Sequence, residues 1–183
     1  MGRMNAEEFR ASEKMPLVVV LDDVRSMYNV GSVFRTADAF RVESIYLCGI
    51  TACPPHQEIH KTALGAEDTV EWHHSQTALE AVHRLKTAGY TVFSIEQCEG
   101  SAKLQDLQHA VEGIKSRDVS NSLKVAIVLG NEVKGVSQDV VNASDYCLEI
   151  PQFGTKHSLN VSTAAGMVIW EFAKLLLPLI ANN

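Results

Sequence analysis

Five short apolar runs punctuate the chain: Leu17 to Leu21, Ser44 to Cys48, Tyr90 to Ile95, Val125 to Leu129 and Tyr146 to Ile150. Each is closed by polar or glycine-bearing residues. Leu17-Val-Val-Val-Leu21 and Val125-Ala-Ile-Val-Leu129 are continuous rather than alternating, as in parallel strands covered on both faces. Between the runs the apolar period lengthens. From Asn29 to Phe40 it predicts a helix with Val30, Val33, Phe34, Ala37 and Phe40 facing inward. A Pro-rich loop leads to a short amphipathic piece ending near Gly65. Thr77 and Glu80 form a capping box for a helix carrying Leu79, Val82 and Leu85, closed by Gly89. Strands alternating with helices predict an α/β fold with a mostly parallel sheet flanked by helices. Residues 98–121 are polar and give no assignment, and His73-His74 beside Trp72 reads as an exposed loop. The first 15 residues read as an arm, mobile or a short docking helix, and 16–183 as one domain.

The last long segment differs from the others. From Val161 to Leu177 apolar residues occupy almost every helical face, interrupted only by Glu171 and Lys174. A membrane span needs about 20 apolar residues, and these two charges fall inside any such window. The pattern predicts a helix with one face on its own sheet and another on a second copy of the chain, Trp170 and Phe172 being the notable excess.

Composition narrows the picture modestly. The 183 residues are 46% hydrophobic and 21% charged, with a net charge of −6. That balance suits one globular domain and argues against nonspecific coating of nucleic acid, while leaving room for a local basic patch. No basic, apolar leader opens the chain, and Cys48, Cys53, Cys98 and Cys147 form no CxxC pair, so a reduced, cytoplasmic protein is expected. The turn after the first strand holds only Gly31, which excludes the GxGxxG dinucleotide fingerprint. Gly130 and Gly135 are followed by Val136-Ser137 rather than Lys and Ser or Thr, which excludes a P-loop. Cys53, His56 and His60 have no fourth ligand at matching spacing, and no metal site is expected.

In parallel sheets ligands gather at the carboxyl ends of strands, here Asp22 onward, Glu96, Gly130 onward and Ile150 onward. The last of these ends carries the most chemistry. Pro151 bounds the strand, and a loop with Gly154, Lys156 and His157 follows. Ser158-Leu159-Asn160-Val161-Ser162 then leads into the long helix. Backbone N–H groups beside hydroxyl and amide side chains suit a polar or anionic ligand; the same side chains can instead cap the helix.

Three separated stretches stand out together: Asn29-x-Gly31-x-x-x-Arg35, Leu129-Gly130-Asn131-Glu132-x-x-Gly135-Val136, and Ile150-Pro151-x-x-Gly154-x-x-x-Ser158-Leu159-Asn160-Val161-Ser162. In this order they closely resemble the three motifs of the SpoU (TrmH-type) RNA ribose 2′-O-methyltransferases of the SPOUT class, over roughly Val18 to Leu176. The resemblance implies a C-terminal trefoil knot holding S-adenosylmethionine, a homodimer built on the C-terminal helix, and an RNA substrate, tRNA first and ribosomal RNA second. By position the cofactor would meet Glu96, Gln97, Leu129, Gly130, Asn131, Gly135, Ile150, Gln152, Ser158 and Leu159. The implied catalytic set is Arg35, Asn29, Glu132, Ser158 and Asn160. Arg35 would clamp phosphate and the reacting oxygen, because a guanidinium is a poor base. Asn29 would steady Arg35 or the ribose. Glu132, near the start of a helix, would hold its loop or orient Asn160, and Ser158 and Asn160 would shape the point where methyl and ribose meet. A base methyltransferase of the wider class and a non-catalytic RNA-binding protein of the same fold are the alternatives.

Overall fold

The computed structural model describes residues 4–115, 123–156 and 158–181; His157 and the end of the unassigned 98–121 stretch lie outside them. The elements run α1 (Ala6–Ala11), β1 (Met15–Asp22), α2 (Met27–Ala39), β2 (Val42–Cys48), α3 (Gln57–Ala63), β3 (Glu71–Ser75) and α4 (Ala78–Thr87). They continue with β4 (Thr91–Ile95), β5 (Ala102–Lys103), α5 (Leu107–Lys115), β6 (Val125–Leu129), α6 (Gln138–Ala143), β7 (Tyr146–Glu149) and α7 (Val161–Ala181).

The seven strands form one sheet in the order β3-β2-β1-β6-β4-β7-β5. Every pairing is parallel. The two latest strands do not extend an edge. β6 enters between β1 and β4, and β7 between β4 and β5. All carboxyl ends of the central strands therefore open on one side of the molecule, and the loops after β1, β4, β6 and β7 converge there.

Alternation along each strand divides the core. Leu17, Val19 and Leu21 of β1, with Val125, Ile127 and Leu129 of β6, bury against the face covered by α2, α3, α5 and α7. Val18, Val20, Ala126 and Val128 point to the opposite face, covered by α4 and α6. Continuous apolar runs are what a sheet covered on both sides requires.

Three expectations are corrected, and part of the unassigned stretch takes shape. The His73-His74 segment is not a loop but edge strand β3, with Trp72 in register with Ile45 and the His73 ring 4.9 Å from Tyr46. Residues 102–115 form β5, a 3₁₀ turn at Leu104–Asp106 and α5, whose buried Leu104, Leu107 and Val111 are spaced among polar residues. Phe172 is fully buried, so of the two aromatic residues offered to a partner only Trp170, 51% exposed, faces outward. Finally, Cys98 and Cys147 are joined across 49 residues of sequence, leaving Cys48 and Cys53 as the free thiols. Spacing in the chain could not reveal that pair, because β4 and β7 are neighbours only in the folded sheet. The N-terminal arm docks as a helix: Asn5 caps α1, Phe9 is buried, and an Arg10 guanidinium N–H donates to the Asp68 carbonyl at 2.9 Å. No helix among the described residues is long and apolar enough to cross a membrane.

Phe172 meets Phe93 edge-on, ring centroids 5.3 Å apart, between α7 and the sheet. Phe172→Ala should lower the unfolding free energy by about 3–5 kcal/mol, read from urea denaturation with an unchanged slope on denaturant. A loss below about 1 kcal/mol would contradict this packing.

Candidate functional site

The loop after β6 is held from within and from both sides. Backbone hydrogen bonds pair Asn131 with Gly135, N to O at 3.0 Å and 2.9 Å. The Asn131 side-chain oxygen accepts from the Val133 and Lys134 N–H groups, and its amide donates to the Asp23 carbonyl at 2.8 Å. Gly135 has φ +71°, and a Cβ there would lie 2.2 Å from the Glu96 carboxylate. That carboxylate accepts the Val136 N–H at 3.0 Å, tying the loop to the end of β4. Buried Asp22, at the end of β1, accepts both the N–H and the hydroxyl of Ser137.

From this loop Glu132 reaches the start of α2, 103 residues away. It lies in the loop itself; the next helix, α6, begins only at Gln138, which corrects the expected helix-start position. One Glu132 oxygen accepts the Ser26 N–H at 2.9 Å and the Asn29 amide at 3.1 Å; the other accepts the Arg25 N–H at 3.0 Å. α2 has no acidic residue in its own first turn. Glu132 therefore supplies the negative charge that the positive end of the helix dipole favours. Burial pushes the Glu132 carboxyl up, but the N–H groups of Arg25 and Ser26 and the Asn29 amide outweigh it, and the group stays below its ordinary value.

Asn29, buried with 8% exposure, passes the connection onward. Its oxygen accepts from the Asn160 amide at 3.0 Å. Asn160 in turn caps α7, its oxygen accepting the Ser162 and Thr163 N–H groups at 2.9 Å and 3.2 Å and the Ser162 hydroxyl at 2.6 Å. Those N–H groups are thus occupied by the protein rather than offered to a ligand. The chain Glu132–Asn29–Asn160 joins the three sequence stretches in one hydrogen-bonded line. Among the described residues no hydrogen bond joins Asn29 to Arg35; the Asn29 nitrogen donates to Glu132 and its oxygen accepts from Asn160.

Beside this line opens a cavity of about 350 Å³, within the range of small-molecule sites, about 300–1,000 Å³. Glu96 and Gln97 line it from β4; Leu129, Gly130, Asn131 and Gly135 from β6 and its loop; Ile150, Gln152, Ser158 and Leu159 from the segment after β7. Glu132 also faces it, with Ile95, Val133, Lys134, Val161 and Ala164, which the sequence reading did not single out. The lining offers apolar walls at Ile95, Ile150, Leu159 and Val161 for a flat ring, and Gln97, Gln152 and Ser158 for polar groups. At Gly130 a Cβ would lie 2.0 Å from the backbone of Gly135, so the cavity wall there is bare main chain. A nucleoside carrying a short polar chain fits this donor set.

Arg35 stands apart. It is exposed on α2, does not line the cavity of its own chain, and has no ion-pair partner among the described residues. Its neighbour Asp38 instead accepts the Thr69 hydroxyl at 2.7 Å. His56 caps α3 through its ring nitrogen, and His60 lies 2.5 Å from Glu67. Asp22, noted in the sequence only as a strand end, and Ser26, which sequence reasoning passed over, are structural members of the site; a serine just ahead of a helical period was the available signal for Ser26.

The SpoU rRNA Methylase family matches residues 16–170. A tRNA/rRNA methyltransferase of Borreliella burgdorferi, itself uncharacterized, is 27% identical over 170 residues, 93% of this chain and 68% of that protein. The structure of the A. aeolicus TrmH/SpoU tRNA modifying enzyme shares the fold, with TM-score 0.74 at 23% identity over 92% of this chain and 79% of that one. An AdoMet-bound rRNA methyltransferase of Sinorhizobium meliloti superimposes with TM-score 0.74 at 26% identity, covering 93% of this chain and 60% of that one. The chain spans between 59% and 68% of the length of relatives matched by sequence.

The depressed Glu132 carboxyl carries a pH signature. Its stabilisation is present above the ordinary value of 4.5 and fades as pH falls through the lower folded value. Glu132→Gln should cost about 1–3 kcal/mol at pH 7, because an amide cannot accept from three donors as the carboxylate does. The gap to the parent should narrow below pH 4.5. A gap independent of pH in denaturant titrations would show that the charge does not matter.

Proposed function

This chain belongs to the SpoU rRNA Methylase family, and from that premise we propose that it transfers a methyl group from S-adenosylmethionine to a ribose 2′-hydroxyl of RNA. The observation that carries the reading is the Glu132–Asn29–Asn160 line beside the cavity, which ties motif residues from three parts of the chain into one site. The cofactor is assigned to that cavity, as the S. meliloti relative with AdoMet bound supports. The RNA is tRNA in this reading. Ribosomal RNA is the second reading, favoured because that same relative is an rRNA methyltransferase.

Bound S-adenosylmethionine supplies an electrophilic methyl on a good leaving group, so the protein's task is chiefly alignment, worth about 7–11 kcal/mol when complete. Asn160, fixed by Asn29 and by its own helix, holds the floor of the reaction point with Ser158 at the cavity wall. Arg35 clamps the neighbouring phosphate and the 2′-oxygen, stabilising negative charge as it develops, while the hydroxyl proton passes to that phosphate or to a water. Its guanidinium has the forked geometry for that role, and as a donor-only group with no acceptor site it is unfit as a base.

The site is completed by a second copy of the chain. Thr163, Met167, Trp170 and Lys174 form one exposed stripe along α7, with Met167 42% and Trp170 51% exposed. A homodimer covering that stripe brings α2 of one subunit, and Arg35 with it, toward the cavity of the other. The threading of β6 and β7 between earlier strands supports a trefoil knot in the C-terminal segment.

Arg35→Ala should reduce methyl transfer about 10²–10³-fold, measured with labelled cofactor on total tRNA and ribosomal RNA, with cofactor affinity nearly unchanged. Arg35→Lys should restore little, because a point charge cannot make the forked contact. Full activity in Arg35→Ala would remove the clamp. An inactive parent chain would favour the non-catalytic RNA-binding alternative.

A further inference from the structure

The exposed side of α2 carries chemistry that neither the cavity nor the hydrogen-bonded line uses. Tyr28 precedes Asn29 in the first turn of the helix and is 48% exposed. Arg35 follows Tyr28 by seven residues, so the two lie on one face about 10.5 Å apart along the axis. Arg25 stands just before the helix, exposed, with its backbone N–H on Glu132. Neither guanidinium has an ion-pair partner among the described residues. In a chain of net charge −6, two guanidinium groups without an ion-pair partner stand before and after one exposed aromatic ring in the sequence.

The ring is held in place rather than loose. Lys61 of α3 sits over it, Nζ 6.0 Å from the centroid. Lys61 also pairs with Glu58 at 2.6 Å, and Lys61 first, then Tyr28, draw the Glu58 carboxyl below its ordinary range. The Thr62 hydroxyl donates to the Tyr28 carbonyl at 2.9 Å. Gly31 lets the two helices touch: a Cβ there would lie 2.1 Å from the Thr62 hydroxyl and 2.3 Å from the Ile59 carbonyl. Tyr28 is therefore a half-exposed aromatic platform on a rigid helix pair, with the Lys61–Glu58 pair beside it and Arg25 and Arg35 exposed on the same segment of chain.

Resting on the function proposed above, we infer that this face binds an unpaired stretch of the RNA substrate, one base stacking on Tyr28 while Arg25 and Arg35 hold the phosphates on either side. Cations on the same surface as an exposed aromatic ring are the chemistry of single-stranded nucleic acid. A duplex keeps its bases stacked on one another and offers Tyr28 nothing to stack against. The substrate class is thus RNA presented in a loop or at an end, near the reacting nucleotide.

The test is fluorescence anisotropy with a labelled unpaired RNA oligonucleotide and with its duplex. Tyr28→Ala should weaken binding of the unpaired strand about 5- to 150-fold, the range for one lost base–aromatic stack. Tyr28→Trp should restore it, and duplex binding should not move. Arg25→Ala should lower the slope of log affinity on log salt by about one, and Tyr28→Ala should leave that slope alone. Unchanged affinity in Tyr28→Ala overturns the proposal. So does a shift from dimer to monomer in sedimentation of that variant, which would make Tyr28 a subunit contact. If the parent transfers no methyl to RNA, the reading of function fails, while a selective loss of unpaired-strand binding in Tyr28→Ala still upholds this surface.

Discussion

The carboxamide of Asn29 has two ends, and both are committed: the nitrogen to Glu132 and the oxygen to Asn160. The assignment of the two ends is forced by chemistry, since only the nitrogen can face a carboxylate. No other side chain of that size donates on one side and accepts on the other. An aspartate would set a second carboxylate against Glu132, and an alanine would strand buried donors and acceptors at a cost of about 1–3 kcal/mol. This one buried group links the cap of α7 to the start of α2 and to the loop after β6, which Glu132 also joins through the Arg25 and Ser26 N–H groups.

The sheet explains why those three segments can meet at all. β6 enters beside β1, so its loop reaches the start of α2. β7 enters beside β4, so the segment that follows it returns across the same end of the sheet before α7 begins. Glu96 and Asp22 then fasten the β6 loop to its neighbours at the ends of β4 and β1. Rigidity here has a purpose. A reaction that depends on alignment loses rate when its supporting groups shift by an ångström. Asn29, Glu132 and Asn160 are each fixed by a group outside their own motif as well as by local bonds.

How much of this was legible in the sequence follows from which interactions are local. The continuous runs at Leu17 to Leu21 and Val125 to Leu129 announced central parallel strands, because burial on both faces leaves no polar position. β3 was hidden: Glu71-Trp72-His73-His74-Ser75 lies at the sheet edge, and all but Trp72 are polar. α5 was hidden because its few buried residues stand among Gln, His, Glu and Gly. The cavity lining was readable from motif spacing and strand ends, and those residues do gather in one place. The partners within the site were not. That Glu132 holds α2 rather than its own helix, and that Asn29 turns toward Asn160 rather than Arg35, depends on contacts over more than 100 residues of sequence. Phe172 and Trp170 differ by two positions in an apolar helix, and only the packing of α7 on Phe93 separates the buried ring from the exposed one.

The central claim is that this junction serves methyl transfer to a ribose hydroxyl. The most direct measurement is the position of the methyl in RNA treated with the purified protein and S-adenosylmethionine. A 2′-O-methyl blocks alkaline cleavage of the following phosphodiester, because the attacking hydroxyl is gone. The account predicts one alkali-resistant dinucleotide, whose mass spectrum places the added methyl on the sugar. A methyl found on the base of an alkali-sensitive nucleotide would contradict it.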